Sequence, residues 1–107
     1  MARAQASSDI FHVIADENRR RLIDALRHHE EPVGALVAAT GLSYSAVSQH
    51  LGILLDAKVV ASRAQGRKRF YRLHAARLRE VHDWTSNYKT FWRARMLRLH
   101  AYLDDEQ

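Results

Sequence analysis

Four residues in the stretch Gly41–Val60 share a helical face without a charge among them: Ser45, Ser48, Gln49 and Gly52. At 100° per residue they fall within an arc of about 100°, while Val47, Leu51 and Leu54 centre on roughly the opposite side. One face is therefore made for burial, and the other offers hydroxyls, an amide and bare backbone. An amide can pair with a base edge, and serines suit phosphates or either base type. Gly52 costs about 1 kcal/mol in a helix interior, a cost that close approach to a nucleic-acid backbone would explain. The alternative is tolerance by a well-packed domain.

Those residues need a helix held at a defined angle. Ser43 can cap it, and the short Gly41-Leu42-Ser43 connection sets another helix, VGALVAAT, directly before it. Two helices joined so tightly form a helix-turn-helix, whose second helix can enter the major groove. Upstream, SSDIFHVIAD reads as a short amphipathic helix capped by Ser8 or Asp9. Asp16 can cap a second helix, ENRRRLIDALRHHE, with Leu22, Ile23 and Leu26 spaced for burial; Pro32 then marks a break.

Beyond Val59 the pattern changes to strand-formers flanking Gln65-Gly66-Arg67, a glycine-centred hairpin signal. Arg63, Arg67, Lys68, Arg69 and Arg72 crowd this hairpin. Such a cluster can be a solvated edge, but next to a recognition helix it suits a wing that reaches backbone and minor groove. From His74 the chain is helical again, predicted as one long helix with Leu78, Val81, Tyr88, Trp92, Leu99 and Tyr102 at near-heptad spacing.

The bulk properties agree. The chain has 107 residues, a length for one domain. It carries a formal charge of +5, which favours a polyanion, nucleic acid before an anionic membrane. There is no cysteine, so disulfides and thiolate metal sites are excluded. No apolar run approaches a membrane span and the N-terminus has no signal-peptide core, so a cytoplasmic protein is expected. No nucleophile–base pattern, phosphate loop or paired carboxylates point to an enzyme. A pure dimerisation module would account for the last helix but not for the uncharged face or the basic hairpin.

These segments resemble the ArsR/SmtB family of small winged-helix transcriptional regulators. The resemblance is carried by FHVIADENRRRLIDAL, VGALVAATGLSYSAVSQHLGILLDAKVV and GRKRFYRL. It implies a mainly α winged helix-turn-helix of five helices plus a β-hairpin, filling residues 1–107. The turn and recognition helix would occupy 41–56, the wing 59–73 and a dimerisation helix 75–104. It further implies a homodimer that binds an inverted repeat in double-stranded DNA and usually represses transcription. The residues assigned to DNA are Ser43, Tyr44, Ser45, Ser48, Gln49 and His50, with Arg63, Arg67, Lys68 and Arg69 on the wing. The dimer is assigned to Phe11, Leu78, Val81, Tyr88, Trp92, Leu99 and Tyr102. Two residues depart from the family's pattern: Gly52 stands where a lysine is frequent, and Lys58 where a helix-ending glycine is usual, which would tilt the junction into the wing.

The resemblance also raises metal sensing. The cysteine pair of the arsenic and cadmium sensors falls here on Pro32 and Gly34, placing the chain with the subgroup lacking that box. The zinc and nickel sensors use a carboxylate-x-His pair and a second pair further along the last helix. Glu80-x-His82 matches the first, while the second falls on Arg93 and Met96. His100 and Asp104, one turn apart, form a different pair. Nickel or zinc on His82 and His100 would need two antiparallel chains, because a continuous helix separates those residues by about 27 Å. Control through a sensory protein partner or through abundance is the alternative.

Overall fold

The computed structural model describes residues 9–105. In chain order the elements are α1 (Ile10–Ile14), α2 (Glu17–Ala25), β1 (Glu31–Pro32), α3 (Val33–Thr40) and α4 (Tyr44–Asp56). Then come β2 (Val60–Gln65), β3 (Lys68–Leu73), a 3-10 turn (Ala75–Leu78), α5 (Arg79–Ser86) and α6 (Lys89–Asp105). This is a winged helix-turn-helix: a helical body with a three-stranded antiparallel sheet in the order β1-β3-β2.

Side-chain caps start the helices where expected. The Asp9 carboxylate accepts from the Phe11 amide at 2.9 Å, and Asp16 accepts from Asn18 and Arg19 at 2.8 and 3.1 Å. Ser8, the other candidate cap, lies outside the described residues. Burial pushes the Asp16 carboxyl up, but those amide bonds and the charge of Arg19 outweigh it and leave it lowered. The core is one cluster built from every element of the body: Ile10 and Val13 from α1, Leu22, Ile23 and Leu26 from and after α2, and Leu36 from α3. Val47, Leu51 and Leu54 of α4 complete it with Ala57, Val59 and Val60. Each fully buried Leu, Ile or Val contributes about 1.5–3 kcal/mol, so the body is held chiefly by this cluster.

The expected single helix over 75–104 is interrupted. Thr85 and Ser86 both donate their hydroxyls to the His82 carbonyl, at 3.0 and 2.8 Å. The next amides fold back only three residues, Asn87 to Trp84 and Tyr88 to Thr85. Ser, Thr and Asn compete with the helical backbone for its own acceptors, and three in a row break the rod. The described chain thus has six helices rather than five, and His82 and His100 stand on separate helices, α5 and α6, not on one continuous rod. β1 was also not foreseen. Its two residues pair Glu31 with Tyr71 and Pro32 with Phe70, too short a strand to show any periodicity.

Candidate nucleic-acid interface

The recognition helix α4 is fixed at both ends before anything is asked of its exposed face. At its start, Gly41 takes the left-handed conformation (φ +72°) that ends α3, and its amide donates to Val37 at 2.9 Å. Arg21 donates to the Thr40 carbonyl at 2.7 Å, tying α2 to this turn, and Ser43 caps α4 by accepting from the Ala46 amide at 3.1 Å. At its end, Lys58 occupies the left-handed region (φ +63°) where a glycine is usual. Its amide donates to Leu55 at 3.0 Å and that of Val59 to Leu54 at 2.9 Å, the paired bonds of a Schellman motif. Arg77 adds a bond from its guanidinium to the Ala57 carbonyl at 3.1 Å. Lysine therefore adopts the glycine geometry instead of altering the helix ending.

Val47, Leu51 and Leu54 are buried, and Ser43, Tyr44, Ser45, Ser48 and Gln49 are exposed. Gly52 has open space around the position of a missing Cβ, so nothing among the described residues requires its smallness. His50 is placed differently from the other five residues assigned to DNA on this segment. It is half-buried, with Nδ1 3.5 Å from an Nη of Arg19. The sequence did carry a signal for this: His50 lies about 140° from Ser45, nearer to Leu54 than to Gln49.

The wing turns through Gly66-Arg67, with Gln65 paired to Lys68 and Gly66 at φ +63°, as the first loop position of a type II′ turn requires. Arg67 and Lys68 stand exposed at this tip, and Arg69 donates to the Ser62 hydroxyl at 3.1 Å. Arg63 is engaged within the chain. It donates to both carboxylate oxygens of Glu30 and to Gln65, and lies 5.1 Å over the Phe70 ring. Between wing and helix runs a cleft of about 470 Å³, lined by Arg67, Lys68, Arg69, Tyr44 and Tyr71 and by Pro32–Gly34 at the start of α3. Tyr44 and the start of α3 thus face the wing's cations across the cleft, while the uncharged face of Ser45, Ser48 and Gln49 stands exposed further along α4. Uncharged hydrogen-bonding groups beside cations suit base edges flanked by phosphates.

Residues 16–62 match the family described as bacterial regulatory protein, arsR family. The chain is 33% identical over 97 residues to the HTH-type transcriptional regulator Rv2034 of Mycobacterium tuberculosis, covering 91% of this chain and 87% of that one. The chain belongs to the arsR family. It is also 27% identical over 81 residues to the transcriptional repressor SdpR of Bacillus subtilis, covering 76% of this chain and 90% of that protein. A solved structure described as a possible transcriptional regulator for arsenical resistance superposes with a TM-score of 0.62 at 38% identity, covering 83% and 90% of the two chains.

In this arsR-family chain the surface assigned to dimerisation divides in two. Leu78 and Val81 are partly buried and packed against the core, so they belong to the body. The aromatic residues form a continuous exposed run instead. Phe11 meets Trp84 edge-on at 5.6 Å, Trp84 meets Tyr88 at 5.6 Å, and Tyr88 leads to Phe91 at 6.2 Å. Trp92, Leu99 and Tyr102 continue it along α6, each at least half exposed. Trp84 and Phe91 were not foreseen as members; their spacing from Tyr88, four before and three after, was the available signal.

The candidate metal ligands do not assemble within the chain. His82 lies on α5 and His100 on α6, both exposed, and among the described residues no three His, Asp or Glu side chains cluster as a metal site would. The described residues of one chain therefore do not by themselves assemble a nickel or zinc centre. No helix among the described residues is long and apolar enough to cross a membrane.

Proposed function

We propose that this chain is a cytoplasmic transcriptional repressor that binds double-stranded DNA as a homodimer at an inverted repeat. The observation that carries the reading is an exposed, uncharged face on the recognition helix of a domain whose wing tip is exposed and cationic, with Tyr44 at the start of that helix and Arg67, Lys68 and Arg69 of the wing lining one cleft. Gln49, Ser45 and Ser48 read base edges or adjoining phosphates in the major groove, and Tyr44 flanks them. Arg67, Lys68 and Arg69 neutralise backbone phosphates or enter the minor groove. The dimer forms through the aromatic run from Phe11 to Tyr102, which sets two recognition helices one DNA turn apart. A metal response through His82 and His100 would require two chains to complete the ligand set.

The test is fluorescence anisotropy with DNA from the region upstream of the chain's own gene, against random DNA, across a salt series. Gln49→Ala should lower the operator's advantage by about 1–3 kcal/mol for each lost base contact. Arg67→Ala should weaken all sequences and reduce the salt slope by about one. Equal loss on operator and random DNA in the Gln49 variant would remove the base-reading assignment. No binding of wild type at micromolar concentration and low salt would leave a dimerisation module instead.

A further inference from the structure

Arg19 is a charged residue only 9% exposed, and its donors go to three places. Nε donates to the Val13 carbonyl at 2.6 Å, one Nη lies 3.4 Å from the His12 carbonyl, and the other reaches His50 Nδ1 at 3.5 Å. Val13 and His12 form the last turn of α1, whereas His50 is in the middle of α4. A guanidinium has donors only and keeps its charge, so His50 Nδ1 can take part only with its lone pair free. The contact is a hydrogen bond only in the tautomer that carries the ring proton on Nε2. A side chain committed this way lies beside the buried face of α4, away from Gln49.

The geometry points to His50 as a positioning residue rather than a base reader: through Arg19 it sets the register of the recognition helix against α1. α1 carries Phe11 of the aromatic run, so the link joins the proposed dimer surface to the proposed DNA surface. The consequence for DNA rests on the function proposed above; the link itself does not. A protonated imidazole cannot accept from Arg19 and sets a second cation beside it. The charged groups beside His50 are Arg19 from α2 and the Asp16 carboxylate at the cap of that helix, while the carbonyls of His12 and Val13 from α1 take the other donors of Arg19. α4 itself offers no charged side chain from Tyr44 to Leu55. Asp16 offsets the added charge in part, but its oxygen is already bonded to the Asn18 and Arg19 amides.

The experiment compares wild type, His50→Ala and His50→Asn, the last keeping an acceptor near the place of Nδ1. Operator affinity is measured at neutral pH and near pH 5.5, and amide exchange of Tyr44–Asp56 is followed in DNA-free protein. His50→Ala should lose roughly tenfold in affinity, without relaxing preference at any one base pair, and its α4 amides should exchange faster. His50→Asn should match wild type in both respects. Acidification should weaken wild type more than His50→Asn, a difference that cancels the other histidines. An Asn variant as impaired as the Ala variant, or lost discrimination at a single base pair, would overturn the inference. If wild type bound no DNA, the proposed function would fail, and unchanged exchange in His50→Ala would separately sink the link. Should His50→Ala not fold, the exchange of wild type against His50→Asn at the two pH values decides: equal acid response in both would refute it.

Discussion

Glu30 grips Arg63 of the wing through both carboxylate oxygens, across 33 residues of sequence. The bond from Arg63 holds the Glu30 carboxyl below its ordinary value and raises the guanidinium in turn. A carboxyl lowered by folding contributes stability above its unfolded pKa and loses it as pH falls through the folded value, so the clasp persists into weakly acid conditions. Both partners are partly open to solvent, so the interest of the clasp is electrostatic placement more than stability. Glu30→Gln should release Arg63 to phosphates and remove a negative charge beside the wing. Binding should tighten on every sequence, with a salt slope steeper by about one. An unchanged slope would mean that Arg63 lies out of reach of DNA even when free.

Lys58 holds a backbone conformation that costs an ordinary residue about 1–2 kcal/mol. Glycine would adopt it without a Cβ penalty and keep both terminal bonds of α4. Lys58→Gly should therefore raise the denaturation midpoint by an amount equal to about 0.5–1 kcal/mol, after allowing for glycine's extra unfolded-state freedom. Lys58→Val should lower it. A destabilised glycine variant would show that the lysine stem makes compensating contacts.

At Gly52 two effects oppose each other. An added Cβ meets nothing within 4 Å, so Gly52→Ala should stabilise the free protein by about 1 kcal/mol through helix propensity. On DNA the same methyl would stand on the face proposed to meet the duplex, and affinity should fall. Thermal melts and anisotropy on one preparation separate the two. A variant both more stable and equally tight on DNA would assign Gly52 to tolerance.

Trp92→Glu should yield monomer or aggregate by sedimentation, because it sets a charge within the exposed run on α6. Arg67→Glu, at the exposed tip of the wing, serves as a charge-reversal control. A wild-type chain that sediments as a monomer at micromolar concentration would remove the dimer from the proposal.

Much of the architecture was legible because each signal was local. Ser43, Gly41 and the apolar spacing of Val47, Leu51 and Leu54 define a helix-turn-helix through capping, left-handed backbone and 3.6-residue periodicity, and all appear as read. What escaped notice depended on partners distant in sequence. In ENRRR, Arg19 shares the helical face of Leu22, Ile23 and Leu26, yet only the fold shows the α1 carbonyls and His50 that make its burial tolerable. Arg63 looked like its neighbours on the wing until the chain brought Glu30 alongside. The break at Asn87 was local, but heptad spacing across Leu78–Tyr102 outweighed the competing hydroxyls of Thr85 and Ser86 in the reading.

The seven residues Phe91, Trp92, Met96, Leu97, Leu99, Tyr102 and Leu103 of α6 are each half or more exposed, outside the core cluster of the body. If a second copy covers them, folding of this segment and association become one equilibrium, governed by concentration. Dilution would then uncover the segment as well as empty the operator, and the melting temperature would climb with protein concentration. A cell could tune such a regulator by dosage alone: halving the supply would both thin out dimers and expose a greasy helix to proteases, steepening the response without any effector.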